Sequence, residues 1–186
     1  MIKTLVFLLG VLTLGTLILM LIETAPIESE VPSLIATRRP AEDYGAIVRR
    51  TRVPLQPMKW RGIVVHATAA EGNRIEARCH FVAAADGTLQ VTNLWDSQAE
   101  ARHIEGPNRR LNADSIAVCL AGDFRRHRPT GEQFRTLVHL VRALQRACHI
   151  PGDSVYLYRH LHTRTDSPGA AFPTKAFDSS LLRTLR

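Results

Sequence analysis

Cysteine is scarce in this sequence and its number is odd: Cys79, Cys119 and Cys148 are the three among 186 residues. Scattered thiols of that kind outline no disulfide framework. Cys119 in an apolar run and Cys148 on an apolar helix face read as buried thiols rather than a bridge. Aromatics make up only 6%. No basic array is interleaved with them, and no zinc-knuckle or helix-turn-helix spacing occurs, so nucleic acid is not an expected partner. Internal repeats and low-complexity tracts are missing too. The length allows one domain with appendages, since two independent cores would be cramped.

Long hydrophobic runs are also few. The one that stands out, Leu5 to Ile22, carries no charge. As a helix it spans roughly 27 Å at about 1.5 Å per residue, close to the hydrocarbon thickness of a bilayer. Lys3 precedes it and Glu23 follows it, which places the N-terminus in the cytoplasm and the remainder outside. The expectation is an uncleaved anchor over residues 1–23, with the domain in the periplasm or extracytoplasmic space. A cleaved signal peptide is the rival, and it would make the protein secreted. Acids are outnumbered 17 to 24 by lysine and arginine, a formal charge of +7. On an exported protein that favours an anionic envelope polymer or membrane surface as partner.

Residues 24–57 hold proline, acids and arginine pairs without sustained periodicity and read as a linker, with a short element possible over Tyr44 to Val48. The folded domain is expected over 58–186. Trp60 leads into an apolar strand, Gly62 to His66. Asn73 to Arg78 suits a helix turn. Cys79–Ala84 and Leu89–Asn93 read as strands joined at Asp86-Gly87, a strong hairpin signal. Glu105 to Asp114 reads as loop and Ser115–Ala121 as a buried strand. Thr130 and Gln133 form a capping box. After it Phe134, Leu137, Val138, Val141, Leu144 and Cys148 recur at helical spacing. Val155–Tyr158 is the last strand, and Ser179 suits the cap of a final helix turn. Strands alternating with helices predict an α/β fold: one domain, a central mixed β-sheet and flanking helices.

The chemistry concentrates in Tyr156-Leu-Tyr-Arg-His160-Leu-His162-Thr-Arg164-Thr-Asp166-Ser167-Pro168-Gly169. Imidazoles and a carboxylate crowd there after a strand, in a loop closed by Pro-Gly. This is half of a zinc site, and His66, at the end of another apolar strand, is the best candidate for the rest. A hydrolytic zinc site uses three protein ligands and leaves one position for water, whose pKa the metal lowers. His66 and His160 supply imidazoles. The third ligand is open among Asp166, His162 and Ser167, with serine the poorest zinc donor.

A series of motifs in fixed order carries a resemblance. It runs Trp60-x-x-Ile-Val-Val-His66-x-Thr-Ala, Cys79-His80-Phe81-Val82, Asp86-Gly87, Trp95-x-x-Gln98, His103, Asn112-x-x-Ser115-Ile116-Ala-Val-Cys119-Leu-Ala-Gly122, Pro129-Thr130-x-x-Gln133 and Ser167-Pro168-Gly169. Over roughly Trp60 to Pro173 the chain resembles the type 2 N-acetylmuramoyl-L-alanine amidases, a superfamily that includes the peptidoglycan recognition proteins. The resemblance implies a groove for peptidoglycan or muropeptide fragments and cleavage of the lactyl–L-alanine amide. It also implies a zinc ion held by a His on the first strand, a His after the last, and a Cys or Asp just before Pro-Gly. His66, His160 and Asp166 are the expected ligands. Arg164 stands for the lysine that stabilises the oxyanion. His103 is expected to touch substrate, with His162 as a second groove contact. Cys79 occupies the place of the tyrosine that assists the bound water, and Ser167 the place of the ligand before Pro-Gly. Those two departures leave a second expectation: a zinc-less binding module of the same fold.

Overall fold

In a computed structural model of the protein, residues 42–68 and 78–183 are described. The Leu5–Ile22 segment and most of the expected Asn73–Arg78 helix turn lie outside them. Among the described residues no helix is long and apolar enough to cross a membrane.

Five strands form one mixed sheet in the order β3-β2-β4-β1-β5: β1 Gly62–Thr68, β2 Phe81–Ala83, β3 Leu89–Val91, β4 Ser115–Ala121 and β5 Val155–Leu157. β1 and β4 occupy the centre, run parallel and are apolar over most of their length. That pattern suits strands covered on both faces. β5 joins the other side of β1 in parallel, β2 joins β4 in parallel, and β3 closes the edge by pairing antiparallel with β2. The β2–β3 turn is the expected one: Gly87 has φ 84° and Asp86 Oδ1 accepts from the Thr88 N–H at 2.9 Å.

Side chains alternate across the sheet and sort the residues into two clusters. Ile63, Val65, Ile116, Val118 and Leu120 face the main core, where Leu137, Leu140, Val141 and Leu144 of helix α3 (Gly131–Cys148) cover them. On the opposite face Cys79, Val82 and Cys119 form a smaller cluster. His66 shares that second face, because its neighbours Val65 and Ala67 in β1 point into the core side.

Helix α3, Gly131–Cys148, begins where the capping box places it. Thr130 Oγ1 accepts from the Gln133 N–H at 3.1 Å and donates to the Ala85 carbonyl. The buried Gln133 donates its amide to Ala83 O and Ala121 O, tying the ends of β2 and β4. Loss of the cap leaves a first-turn N–H unpaired. Thr130→Ala is expected to lower unfolding free energy by about 1 kcal/mol in urea titrations, and an unchanged midpoint would contradict the cap's contribution.

Three expectations require correction. The folded unit starts at Asp43 rather than Met58. Helix α1, Tyr44–Arg49, lies in the stretch read as linker, yet its Val48 is fully buried and its backbone carbonyl accepts from Trp95 Nε1 at 3.1 Å. Only Tyr44 and Val48 of this short helix pack on the core, too few to show a periodicity. Glu105–Asp114 is not plain loop, since Gly106–Ala113 winds into 3-10 turns. Helix α2, Asn93–Asp96, is capped by Thr92. The last helix, α4, runs Thr174–Ser180 after Pro173, so Ser179 lies inside it and hydrogen-bonds back to Lys175 O and Ala176 O.

Candidate functional site

The register of the central strands assembles the site on the second sheet face. His66 pairs with Cys119 across β1 and β4. Val82 pairs with Cys119 from the other side. Two residues ahead of β2, Cys79 turns under this corner and is joined to Cys119 by a disulfide across 40 residues of sequence. Both cysteines are buried, and Cys119 Sγ lies 3.1 Å from His66 Nε2. The expectation of a buried thiol is therefore corrected for Cys119, whose partner is Cys79. Cys148 alone stays free and buried, its thiol pushed up to about 12 by desolvation.

A row of rings extends from this corner. His66 stacks on His103 at 5.8 Å between centroids and leans on Tyr158 at 5.9 Å; Tyr158 in turn stacks on His162 at 5.6 Å. Burial lowers the His66 pKa to about 3, with the His103 charge adding to the effect. His103 is lowered to about 4 by burial, opposed by the bond of its Nδ1 to Ala101 O at 2.9 Å. His80 falls to about 3, again chiefly by burial. Its geometry is decisive: Nδ1 accepts from the Ala117 N–H at 2.9 Å, so Nε2 carries the proton and donates to Ala99 O at 2.8 Å. A second proton would face the Ala117 N–H. All three imidazoles are neutral at physiological pH.

The loop after β5 frames the far side. Register steps from Ile63↔Val155 to Val65↔Leu157, so the next position, beside His66, belongs to Tyr158. Ser167 Oγ accepts from the Ala67 N–H at 3.0 Å, and Ser167 N–H donates to Thr165 Oγ1 at 3.1 Å. Gly169, with φ 131°, lies against the Phe124 backbone, where any Cβ would clash with the Phe124 carbonyl group. Asn108 donates to Leu161 O at 2.6 Å, joining the 3-10 segment to this loop. Asn112 holds the His103 and Ile104 amides through one carbonyl oxygen.

Residues 56–170 match the family model described as N-acetylmuramoyl-L-alanine amidase. The chain belongs to the N-acetylmuramoyl-L-alanine amidase family. Solved structures share the fold. One is the N-acetylmuramoyl-L-alanine amidase LysC from Clostridium intestinale, at 22% identity and a TM-score of 0.56, covering 69% of this chain and 90% of that one. Another is AmpD, as its selenomethionine derivative, at 17% and 0.53, covering 75% and 98%. A third is the complex of the peptidoglycan recognition proteins LCa and LCx with tracheal cytotoxin, at 22% and 0.52, covering 64% and 82%. No curated protein matches.

Against the amidase pattern, the expected residues are distributed as follows. His66 lies within β1, which continues two residues beyond it to Thr68. His160 lies two residues beyond the position beside His66, in a 3-10 turn, and is exposed. Asp166 is exposed, and its charge helps, after Asp123, to hold the Arg125 guanidinium protonated. Arg164 is exposed, its N–H donating to His162 Nδ1 at 3.3 Å. His103 and His162 do line the row of rings. Cys79 offers no free thiol while bonded to Cys119.

Zinc needs three convergent donors. Among the described residues, the one group of histidine, cysteine or acid ligand atoms within 4.8 Å of one another is His66, Cys79 and Cys119. His160 and Asp166 do not join it, so the set His66, His160 and Asp166 does not fit a shared ion in this arrangement. With the disulfide closed, the sulfurs are not thiolates either, and only His66 remains a competent donor. The resemblance expected a histidine after the last strand; beside His66 the structure has Tyr158. Tyr158 went unnoticed in the sequence because a strand of three residues leaves its last facing position undefined until it pairs.

Proposed function

We propose that this protein binds peptidoglycan fragments through the groove bounded by the β1, β4 and β5 strand ends, without the zinc-dependent hydrolysis of its family. The observation that carries this reading is the ring standing beside His66: Tyr158, with His160 and Asp166 turned to solvent. Relatives by fold support the ligand class. The recognition protein LE was solved with tracheal cytotoxin, a monomeric diaminopimelic acid-type peptidoglycan. The partly exposed rings of His66, Tyr158 and His162, with His103 buried against His66, offer a row of flat rings suited to sugar and lactyl groups. Arg126 and Arg128, exposed beside the Arg125–Asp123 ion pair, offer charge for stem-peptide carboxylates. The buried disulfide supports an exported location, in line with a membrane-anchored or secreted domain.

The family match favours a second reading, a zinc amidase in which His160 and Asp166 swing in to join His66. One experiment separates the two. Purified full-length protein is incubated with muropeptide, with zinc or with chelator, and followed by calorimetry and mass spectrometry. The binding module retains affinity under chelator and leaves the lactyl–L-alanine amide intact. Chelator-sensitive cleavage would establish the amidase, and an absence of binding would reject both.

A further inference from the structure

The same corner of the sheet that fails as the family's zinc site has three other donors in convergence. A His66 ring nitrogen, Cys79 Sγ and Cys119 Sγ lie within 4.8 Å of one another, with Nε2 3.1 Å from Cys119 Sγ. They come from β1, β4 and the entry to β2: strand pairing fixes His66 and Cys119, and Thr92 Oγ1 donates to the Cys79 carbonyl at 2.7 Å. The two sulfurs are buried with Val82 and Ala121 alongside, so little water competes for them. His66 is a neutral imidazole there, the form that ligates. In a tetrahedral zinc site such donors stand about 3.5–3.8 Å apart, given zinc–sulfur bonds near 2.3 Å and zinc–nitrogen bonds near 2.0 Å. The bonded sulfurs would have to part by under about 2 Å.

We propose that reduction of the Cys79–Cys119 disulfide converts this corner into a His/Cys/Cys site for a thiophilic ion of the zinc class. A dithiol reductant delivers two electrons and two protons, itself becoming a disulfide, and leaves two protein thiols. The incoming zinc(II) displaces both thiol protons and is held by two thiolates and the His66 imidazole, with its fourth position open. The oxidised form lacks the site because each sulfur's electron pair is committed to the other. The ligand set is this chain's own, and the proposal stands whether or not muropeptide binds in the groove.

Cobalt(II) reports the site directly, since thiolate ligation produces an intense charge-transfer absorption. Full-length protein reduced with a phosphine and held without oxygen is expected to take up one cobalt per chain, displaced by zinc(II). Untreated protein should show no band. His66→Ala keeps both sulfurs and is expected to weaken cobalt binding at least about tenfold; Cys148→Ala should leave it unchanged. Cys119→Ala should abolish the band, with far-UV circular dichroism confirming that the variant is folded. If that variant does not fold, the His66→Ala comparison decides alone. A reduced, folded protein without the band, or a band equally strong in His66→Ala, would overturn the proposal.

Discussion

Replacing both Cys79 and Cys119 by alanine is expected to lower the free energy of unfolding by about 4 kcal/mol. The bridge closes 40 residues of chain, and the loop-closure entropy it removes from the unfolded state gives a figure of that size. A span of this length is worth more than the common short-loop bridge, because the entropy grows with the logarithm of the loop. The bridge also stitches the entry of β2 to the centre of β4, so its loss frees the β2–β3 edge of the sheet. Urea titrations of the wild type, the double variant and the phosphine-reduced wild type, all without metal, test this. The reduced protein and the variant should fall together, well below the oxidised form. A double variant within about 1 kcal/mol of wild type would show that strand pairing already restrains this loop, and would remove the bridge from the account of stability.

Mild acid is expected to destabilise the oxidised, metal-free protein steeply. His80 and His103 have pKa values of about 3 and about 4 when folded, against 6.5 when exposed. Between pH 6.5 and 4 the unfolded chain therefore binds more protons than the native one, so stability rises with pH across that window and falls on acidification. Each such group contributes up to about 1.4 kcal/mol per pH unit, and the two together about 2.7. Above pH 6.5 their contribution is complete. His66 is shifted in the same direction, but its ring is less buried than the other two and it is left out of the sum. Unfolding free energies measured by urea at a series of pH values from 7.5 to 4.5 provide the check. His80→Gln, which can still accept from Ala117 N–H and donate to Ala99 O, should flatten the slope by about one proton. A wild-type stability that stays level from pH 7 to 5 would contradict the neutral, doubly bonded His80.

Much of the architecture was legible from local pattern. Ser115–Ala121 reads as a buried strand because an unbroken apolar run needs cover on both faces, and the sheet supplies it. Thr130 and Gln133 mark the start of α3 because the cap is made within four residues of chain. Asp86-Gly87 marks the β2–β3 hairpin for the same reason. Helix α1 was legible only as a possible short element over Tyr44 to Val48, because what ties it to the domain lies far away in sequence: Tyr44 Oη donates to Thr136 Oγ1 of α3 and the Val48 carbonyl accepts from Trp95 Nε1.

The site divides along the same line. That His66 lies on a buried strand and that the chain is an α/β amidase-family domain both follow from residue order. Which side chain faces His66 does not. It depends on how a three-residue strand registers against β1, and one step along that strand exchanges Tyr158 for another residue and the groove for solvent. The partner of Cys79 likewise emerges only from folding, because Cys119 is brought beside it by parallel strands separated by a long connection. Short-range interactions are written in neighbouring residues. Ligand sets and cross-strand bonds are written in register, and register exists only once the sheet has formed.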